Sequence, residues 1–268
     1  MPARKHRDAL ERHHRVFHKR RFVHPDPLEF LYDYDDPADR EIVALIAASL
    51  AYGRVTQILV SVRRALERLG DSPARYVADT TPARMQADLA GFKHRWTTGE
   101  DLAALLCGAR RTIRSHGSLG ECLARKIAPG DETIVGALTG LVEKLSAFAP
   151  GSKVLADPAR GSACKRLHLM LRWLVRRDDV DPGGWDDIPA RLLVVPVDVH
   201  MHRIARTLGL TSRKAADGKT ALEITRAFAA VSPDDPVRYD FSLTRLGLNP
   251  DVPTPEFIAQ LNGQRAGR

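Results

Sequence analysis

The chain repeats its apolar residues at the helical period, and two such repeats face each other across a span of 33 residues. In Lys165-Arg-Leu-His-Leu-Met-Leu-Arg-Trp-Leu-Val-Arg176, residues Leu167, Met170, Leu171 and Leu174 fall at i, i+3, i+4 and i+7, the stripe of an amphipathic helix. At about 100° per residue, Lys165, His168, Arg172 and Arg176 gather on the other side. In Asp198-Val-His-Met-His-Arg-Ile-Ala-Arg-Thr-Leu208 the spacing recurs through Met201, Ile204, Ala205 and Leu208. Asp198 stands where an N-cap belongs. A helix, a loop and a return helix fit in this interval, so one amine, Lys165, and one carboxylate, Asp198, can share a cleft.

The remainder reads the same way. Asp35 to Asp39 offers capping chemistry for a helix over Arg40–Tyr52, whose apolar residues cover most of its circumference and predict a buried central position. Gly53 ends it, and Arg54 to Leu69 forms a second helix closed by Gly70. Short helices are expected from Ser72 to Trp96, and longer ones over Thr97–His116, Leu119–Lys126, Glu132–Phe148, Lys219–Ala230 and Pro236–Leu246. A last short helix is expected at Glu256–Leu261, after a loop at Asn249–Pro255. Leu192–Val197 is the one stretch with any strand character. The fold class is all-α.

At 268 residues the chain suffices for one large domain or two intimate small ones. No apolar run approaches a membrane span and the charged N-terminus lacks a signal-peptide core, so a cytoplasmic protein with no membrane partner is expected. Cys107, Cys122 and Cys164 are the only cysteines, which suggests neither a disulfide framework nor a zinc site. The net charge of +8 favours polyanionic partners. Eight Lys/Arg against two Asp/Glu in residues 1–24 supply +6 of it, so these residues read as a basic, solvated extension, His6, His13, His14, His18 and His24 included. The body is nearly neutral, and nucleic-acid affinity there must come from local patches.

Pro196-Val-Asp198-Val-His200-Met-His-Arg203-Ile-Ala-Arg206-Thr-Leu-Gly209 resembles the aspartate segment of the helix-hairpin-helix DNA glycosylases. In that superfamily the aspartate heads a helix and is catalytic, and a lysine about thirty residues upstream is the nucleophile of lyase-competent members. From about Leu28 to Gly247 the chain resembles a bacterial family of unknown function, through phrases such as Leu50-Ala-Tyr-Gly-Arg54-Val-Thr-Gln57, Lys165-Arg-Leu-His-Leu, Arg172-Trp173 and Tyr239-Asp-Phe-Ser-Leu-Thr-Arg-Leu-Gly247. The archaeal 8-oxoguanine glycosylases are the characterised branch whose layout it most resembles.

The resemblance implies two helical subdomains with a cleft between them. The N- and C-terminal helices form one, residues 97–197 contribute the other, and residues 25–268 together make the glycosylase-like domain. It implies Lys165 and Asp198 as catalytic residues. Tyr52 and Arg54, in the turn where glycosylases probe the DNA strand, would meet a base and a phosphate; the bland reading is a buried Tyr at a helix end and a solvated Arg. The Gly-rich hairpin of the superfamily is missing from Asp157–Ser162, and Ser162, capping the lysine helix, is expected to supply a phosphate grip through free amides. His168, Arg172 and Arg166 are candidate neighbours that depress the lysine's basicity. Trp173 or Trp185 would line a pocket for the flipped nucleotide, with core packing as the structural reading of Trp173, and His200 lies near the site. The four-cysteine iron–sulfur loop of many relatives has no counterpart after Cys164, so neither a metal nor another cofactor is expected.

The function expected is a DNA glycosylase, bifunctional through a Schiff base, acting as a monomer on double-stranded DNA with a damaged base, an oxidised purine such as 8-oxoguanine being the leading substrate. The alternative is a non-catalytic helical nucleic-acid-binding protein. A metal-dependent phosphohydrolase ranks last, because no adjacent His-Asp pair is present.

Overall fold

A computed structural model describes residues 2–245. A 3-10 turn at Pro2–His6 leads into α1 (Arg7–Phe17), and two further 3-10 turns, Arg20–Phe22 and Pro27–Asp33, precede α2 (Pro37–Ser49) and α3 (Val55–Glu67). The short helices α4 (Pro73–Asp79) and α5 (Pro82–Asp88) are followed by a two-stranded antiparallel hairpin, β1 (Lys93–His94) with β2 (Thr97–Thr98). Then come α6 (Gly99–His116), α7 (Leu119–Ala124), α8 (Val135–Leu145), α9 (Lys165–Val175), α10 (Val199–Thr207), α11 (Gly218–Ala229) and α12 (Asp240–Arg245). The protein is predominantly helical, with that hairpin as its one sheet among the described residues. No helix of the described residues is long and apolar enough to cross a membrane. The helix expected at Glu256–Leu261 lies outside the described residues.

The capping chemistry sets the helix starts. Asp36 accepts from the Ala38 amide at the head of α2, and Thr98 and Asp101 form a reciprocal capping box at the head of α6. From Glu41 to Leu50 every residue of the α2 segment is buried, as its all-round apolar pattern predicts. This helix packs on α9, α4, α3 and the Pro27–Asp33 turn. On one flank α6 gathers α4, α5, α7 and α8; on the other, α12 packs on α1 and α10. The first group therefore begins well before residue 97, and α9 pairs with α2. One continuous apolar core runs through both groups.

Helices α6 and α8 approach closely. A Cβ at Gly108 would run into the Leu145 backbone, so the glycine is what permits this approach. Leu192–Val197 is not a strand: a 3-10 turn at Ala190–Leu192 leads into a buried extended segment. Its Ile134–Leu192 and Val195–Thr225 hydrogen bonds go to helical neighbours.

The N-terminal residues overturn their reading as a solvated extension. Leu10, His6, His13 and His18 are buried. His13 Nε2 donates to the Ser242 carbonyl (2.8 Å), His18 Nε2 lies 2.9 Å from Asp178 Oδ1, and Glu11 accepts from the Tyr239 hydroxyl (2.6 Å). Net charge describes a segment's average; the few apolar and imidazole groups on one face of α1 decide where it packs.

Candidate active site

Lys165 is the first residue of α9 and Asp198 is the N-cap of α10. Asp198 Oδ1 accepts from the amides of His200 and Met201, both at 2.9 Å. That double bond fixes the carboxylate's rotamer and leaves Oδ2 free to turn outward, where it meets Lys165 Nζ at 3.0 Å. Both groups are partly exposed, at 35% and 26% of their side-chain surface, so the pair is reachable from solvent. Burial works to raise the Asp198 carboxyl, but the Lys165 ammonium and the Met201 amide outweigh it and hold the group below the ordinary carboxylate range. Asp198 is therefore ionised at neutral pH.

Lys165 also lines a cleft of about 320 Å³. Its walls come from the end of α2 (Ser49, Ala51, Tyr52), the segment Val154–Ala156 and the start of α9, including Cys164 and Arg166. This volume is within the range of small-ligand sites. Arg166 crosses it, donating to the Ser49 carbonyl (2.6 Å) and the Lys153 carbonyl (3.0 Å), with its guanidinium 5.0 Å from the Tyr52 ring centroid. Cys164 is buried, and burial pushes its thiol up, so it stays protonated.

Tyr52 is half-buried and locked in place. Its hydroxyl donates to the His94 carbonyl (2.8 Å) and accepts from Thr97 Oγ1 (2.7 Å), tying the α2 terminus to the hairpin. Arg54 is exposed at the head of α3. His200 is exposed beside Asp198, 3.5 Å from Arg203. Among the described residues no group of three or more His, Cys, Asp or Glu is arranged so that it could hold a metal ion.

Several expected contacts are elsewhere. Ser162 does not cap α9: the N-cap is Cys164, in the left-handed region (φ 44°) with no side-chain cap, and Ser162 Oγ accepts from the Cys164 amide. The segment before it is a 3-10 turn, Pro158–Arg160, pinned by the Gly218 amide on the Gly161 carbonyl and a bridge between Ser162 and Asp217.

Arg172 is buried and paired to Asp181 (3.1 Å) and Asp240, part of an ionic network that continues through Arg176 to Asp178, Asp181 and Asp235. His168 is buried, and burial depresses it to about 4, so it is neutral and cannot act as a cationic neighbour of Lys165. Trp173 is fully buried, and Trp185 is buried with its Nε1 donating to Glu41 (2.7 Å). Neither lines the cleft. On the polar face of α9 only Lys165 stays partly exposed; His168, Arg172 and Arg176 are buried, the two arginines in the ionic network.

Trp96, His94 and the 154–156 segment had no signal in the sequence. Trp96 stands out only in the fold, as an exposed indole (52%) stacked on Tyr52.

A family model described as a protein of unknown function (DUF2400) matches residues 26–249. No curated protein and no solved structure matches the chain.

Proposed function

The chain belongs to the DUF2400 family, and we propose that it is a DNA glycosylase with lyase activity, its helices arranged in the manner of the helix-hairpin-helix glycosylases. The observation that carries this reading is the 3.0 Å contact between Asp198 Oδ2 and the Nζ of Lys165, a residue that lines the cleft. Breaking an N-glycosidic bond builds positive charge on the sugar and negative charge on the departing base. An ionised carboxylate fixed by two backbone amides stabilises the first, because it needs no reorganisation when the charge appears.

Lys165 as a free amine supplies the nucleophile. Its Nζ forms a bond to C1′ as the glycosidic bond breaks, and the electron pair of that bond leaves with the base. The base takes up one proton lost from the new ammonium; the nitrogen lone pair then forms the C1′=N bond as the C1′–O4′ pair goes to O4′, which takes the second nitrogen proton, and the resulting Schiff base permits strand scission. The resting ion pair keeps the lysine positioned, and because the pair is partly exposed the ammonium passes its proton to solvent before the amine attacks. Positioning of this kind accounts for much of what an enzyme contributes. Double-stranded DNA with a damaged base is the substrate, an oxidised purine first, with its nucleotide turned out of the stack into the cleft. The protein works as a monomer, without a metal, in the cytoplasm.

A second reading, a helical DNA-binding protein without catalysis, is favoured by a specific observation. His168, Arg172, Trp173 and Trp185 are all taken up by the interior, so the base pocket has fewer recognition groups than the resemblance implies. Incubation with duplexes bearing single lesions (8-oxoguanine, uracil, hypoxanthine, an abasic site) and borohydride separates the two. A covalent adduct that disappears in Lys165→Ala, with at least about a 100-fold loss of base release, supports the glycosylase and names its base. Base release without an adduct reduces Lys165 to a binding role. Salt-sensitive binding with neither release nor adduct supports the second reading.

A further inference from the structure

We propose that Trp96 is a stacking platform for an unpaired DNA base, one aromatic layer outside the cleft; the inference rests on the nucleic-acid reading above. Trp96 follows Arg95, which the tight turn holds at φ 54°, and sits at the tip of the β1–β2 hairpin. Its ring lies 4.2 Å from that of Tyr52 with an interplanar angle of 17°. Tyr52 in turn lines the cleft beside Lys165. More than half of the Trp96 surface is open to solvent although one face is covered. Leaving a large apolar ring in water is unfavourable, and a folded protein of this size has room to bury it, as it buries Trp173 and Trp185.

The platform is rigid. Tyr52 binds both members of the His94–Thr97 pair through its hydroxyl. His94 completes the lock: Nε2 donates to the Tyr52 carbonyl (3.0 Å), and Nδ1 accepts from Ser61 Oγ (2.8 Å). Burial depresses the imidazole, in keeping with that neutral tautomer. The stacking surface is thus ordered before any ligand arrives, which removes an entropic cost of binding.

The surroundings select the ligand. Arg54, at the head of α3, and Lys93 and Arg95, in the β1–β2 hairpin, are exposed, and the Arg95 guanidinium is 5.2 Å from the Trp96 centroid. Among the described residues none of these three cations is in an ion pair. A cationic ligand would be repelled and an apolar protein surface would strand three charges. A base with its phosphates satisfies both parts, since aromatic stacking is tolerant of sequence and the backbone meets the cations. A base next to the extruded nucleotide is the one within reach of this position.

Trp96 is the one exposed indole of three, so acrylamide quenching of emission reports on it directly. The full chain is titrated with an oligothymidylate of roughly 12 nucleotides, an abasic-site duplex and an undamaged duplex. We expect the first two to shield Trp96 from acrylamide. Trp96→Ala should weaken both by about 10-fold or more and Trp96→Phe by less, while the undamaged duplex binds all three proteins alike.

Equal binding of the abasic duplex by Trp96→Ala and the parent, or binding that leaves Trp96 as accessible as before, overturns the proposal. Should the alanine variant fold poorly, the parent's quenching and the phenylalanine variant decide. A trapped Lys165 adduct with no effect at Trp96 sinks this inference alone. Failure of every DNA to bind sinks the glycosylase reading with it.

Discussion

Asp198 has two jobs that one substitution can separate. Oδ1 holds the head of α10 and Oδ2 holds Lys165. Asn keeps the capping acceptor and loses the charge, so Asp198→Asn should abolish adduct formation while leaving α10 formed. The stability effect has a definite sign. The folded carboxyl sits below its ordinary value of 3.8, so the stabilisation is complete above that value and lost as pH falls through the folded one. The parent should therefore melt above the variant by a constant margin at pH values above the ordinary carboxylate range, and the margin should close as pH falls below that range; scanning calorimetry across pH reads this. A margin that grew on acidification would contradict the ion pair. Lys165 and Asp198 were legible because a cap and a first-turn residue are local features that sequence spacing locates. Arg172, His168 and Trp173 were misjudged for a physical reason: periodicity identifies which residues share a face, but whether that face meets solvent depends on partners beyond the helix, Asp181 in the loop that follows it and Asp240, 68 residues from Arg172.

At the scale of elements, the helices that hold the cleft are anchored by a buried carboxylate. Glu41, on α2, accepts from the amides of Leu119 and Gly120 at the head of α7 and from Trp185 Nε1, at 2.7 to 3.0 Å. Burial raises the carboxyl while these three donors pull it back. One side chain thereby fastens α7 and the loop after α9 to the central helix. Glu41→Ala would leave three buried donors without a partner, each costing about 1–3 kcal/mol. We expect at least about 3 kcal/mol of lost stability in urea unfolding. An effect below about 1 kcal/mol would mean that water reaches these donors. The helical elements, α2 and α6 above all, were legible from period and caps, with boundaries displaced by two or three residues. The β1–β2 hairpin was not, because strands of two residues carry no alternation. What holds it is the Tyr52 hydroxyl, 42 residues from His94, and no local window contains that bond.

Across the whole molecule, the two ends of the described chain are folded together, and this ties stability to imidazole charge. Arg4 donates to the Ala230 carbonyl, His6 meets the Leu208 carbonyl and His13 the Ser242 carbonyl. Nothing in the composition of residues 1–24 distinguishes this from a tail; the difference lies in a long-range surface provided by α12 and the end of α11. The consequence is a pH dependence. Burial depresses His13 and His168 from 6.5 to about 4, so the folded protein keeps both neutral where the unfolded chain would protonate them. Between those values the unfolded state binds more protons, and stability must rise with pH. Each histidine should cost on the order of 2 kcal/mol by pH 4.5, a large share of the roughly 5–15 kcal/mol that holds a domain together. Asp178, held well below the ordinary carboxylate range, acts only at still lower pH, while the raised carboxyls of Glu41, Asp181 and Asp240 offset part of the histidines' effect. The urea midpoint should fall steadily from pH 6.5 down to about 4. His168→Leu, which removes an imidazole whose Nδ1 has no partner among the described residues, should flatten the slope by roughly a third or less, because His13, His14 and His94 are depressed as well. A midpoint unchanged down to pH 4.5 would show that the two ends are already apart in solution and that the imidazoles titrate freely.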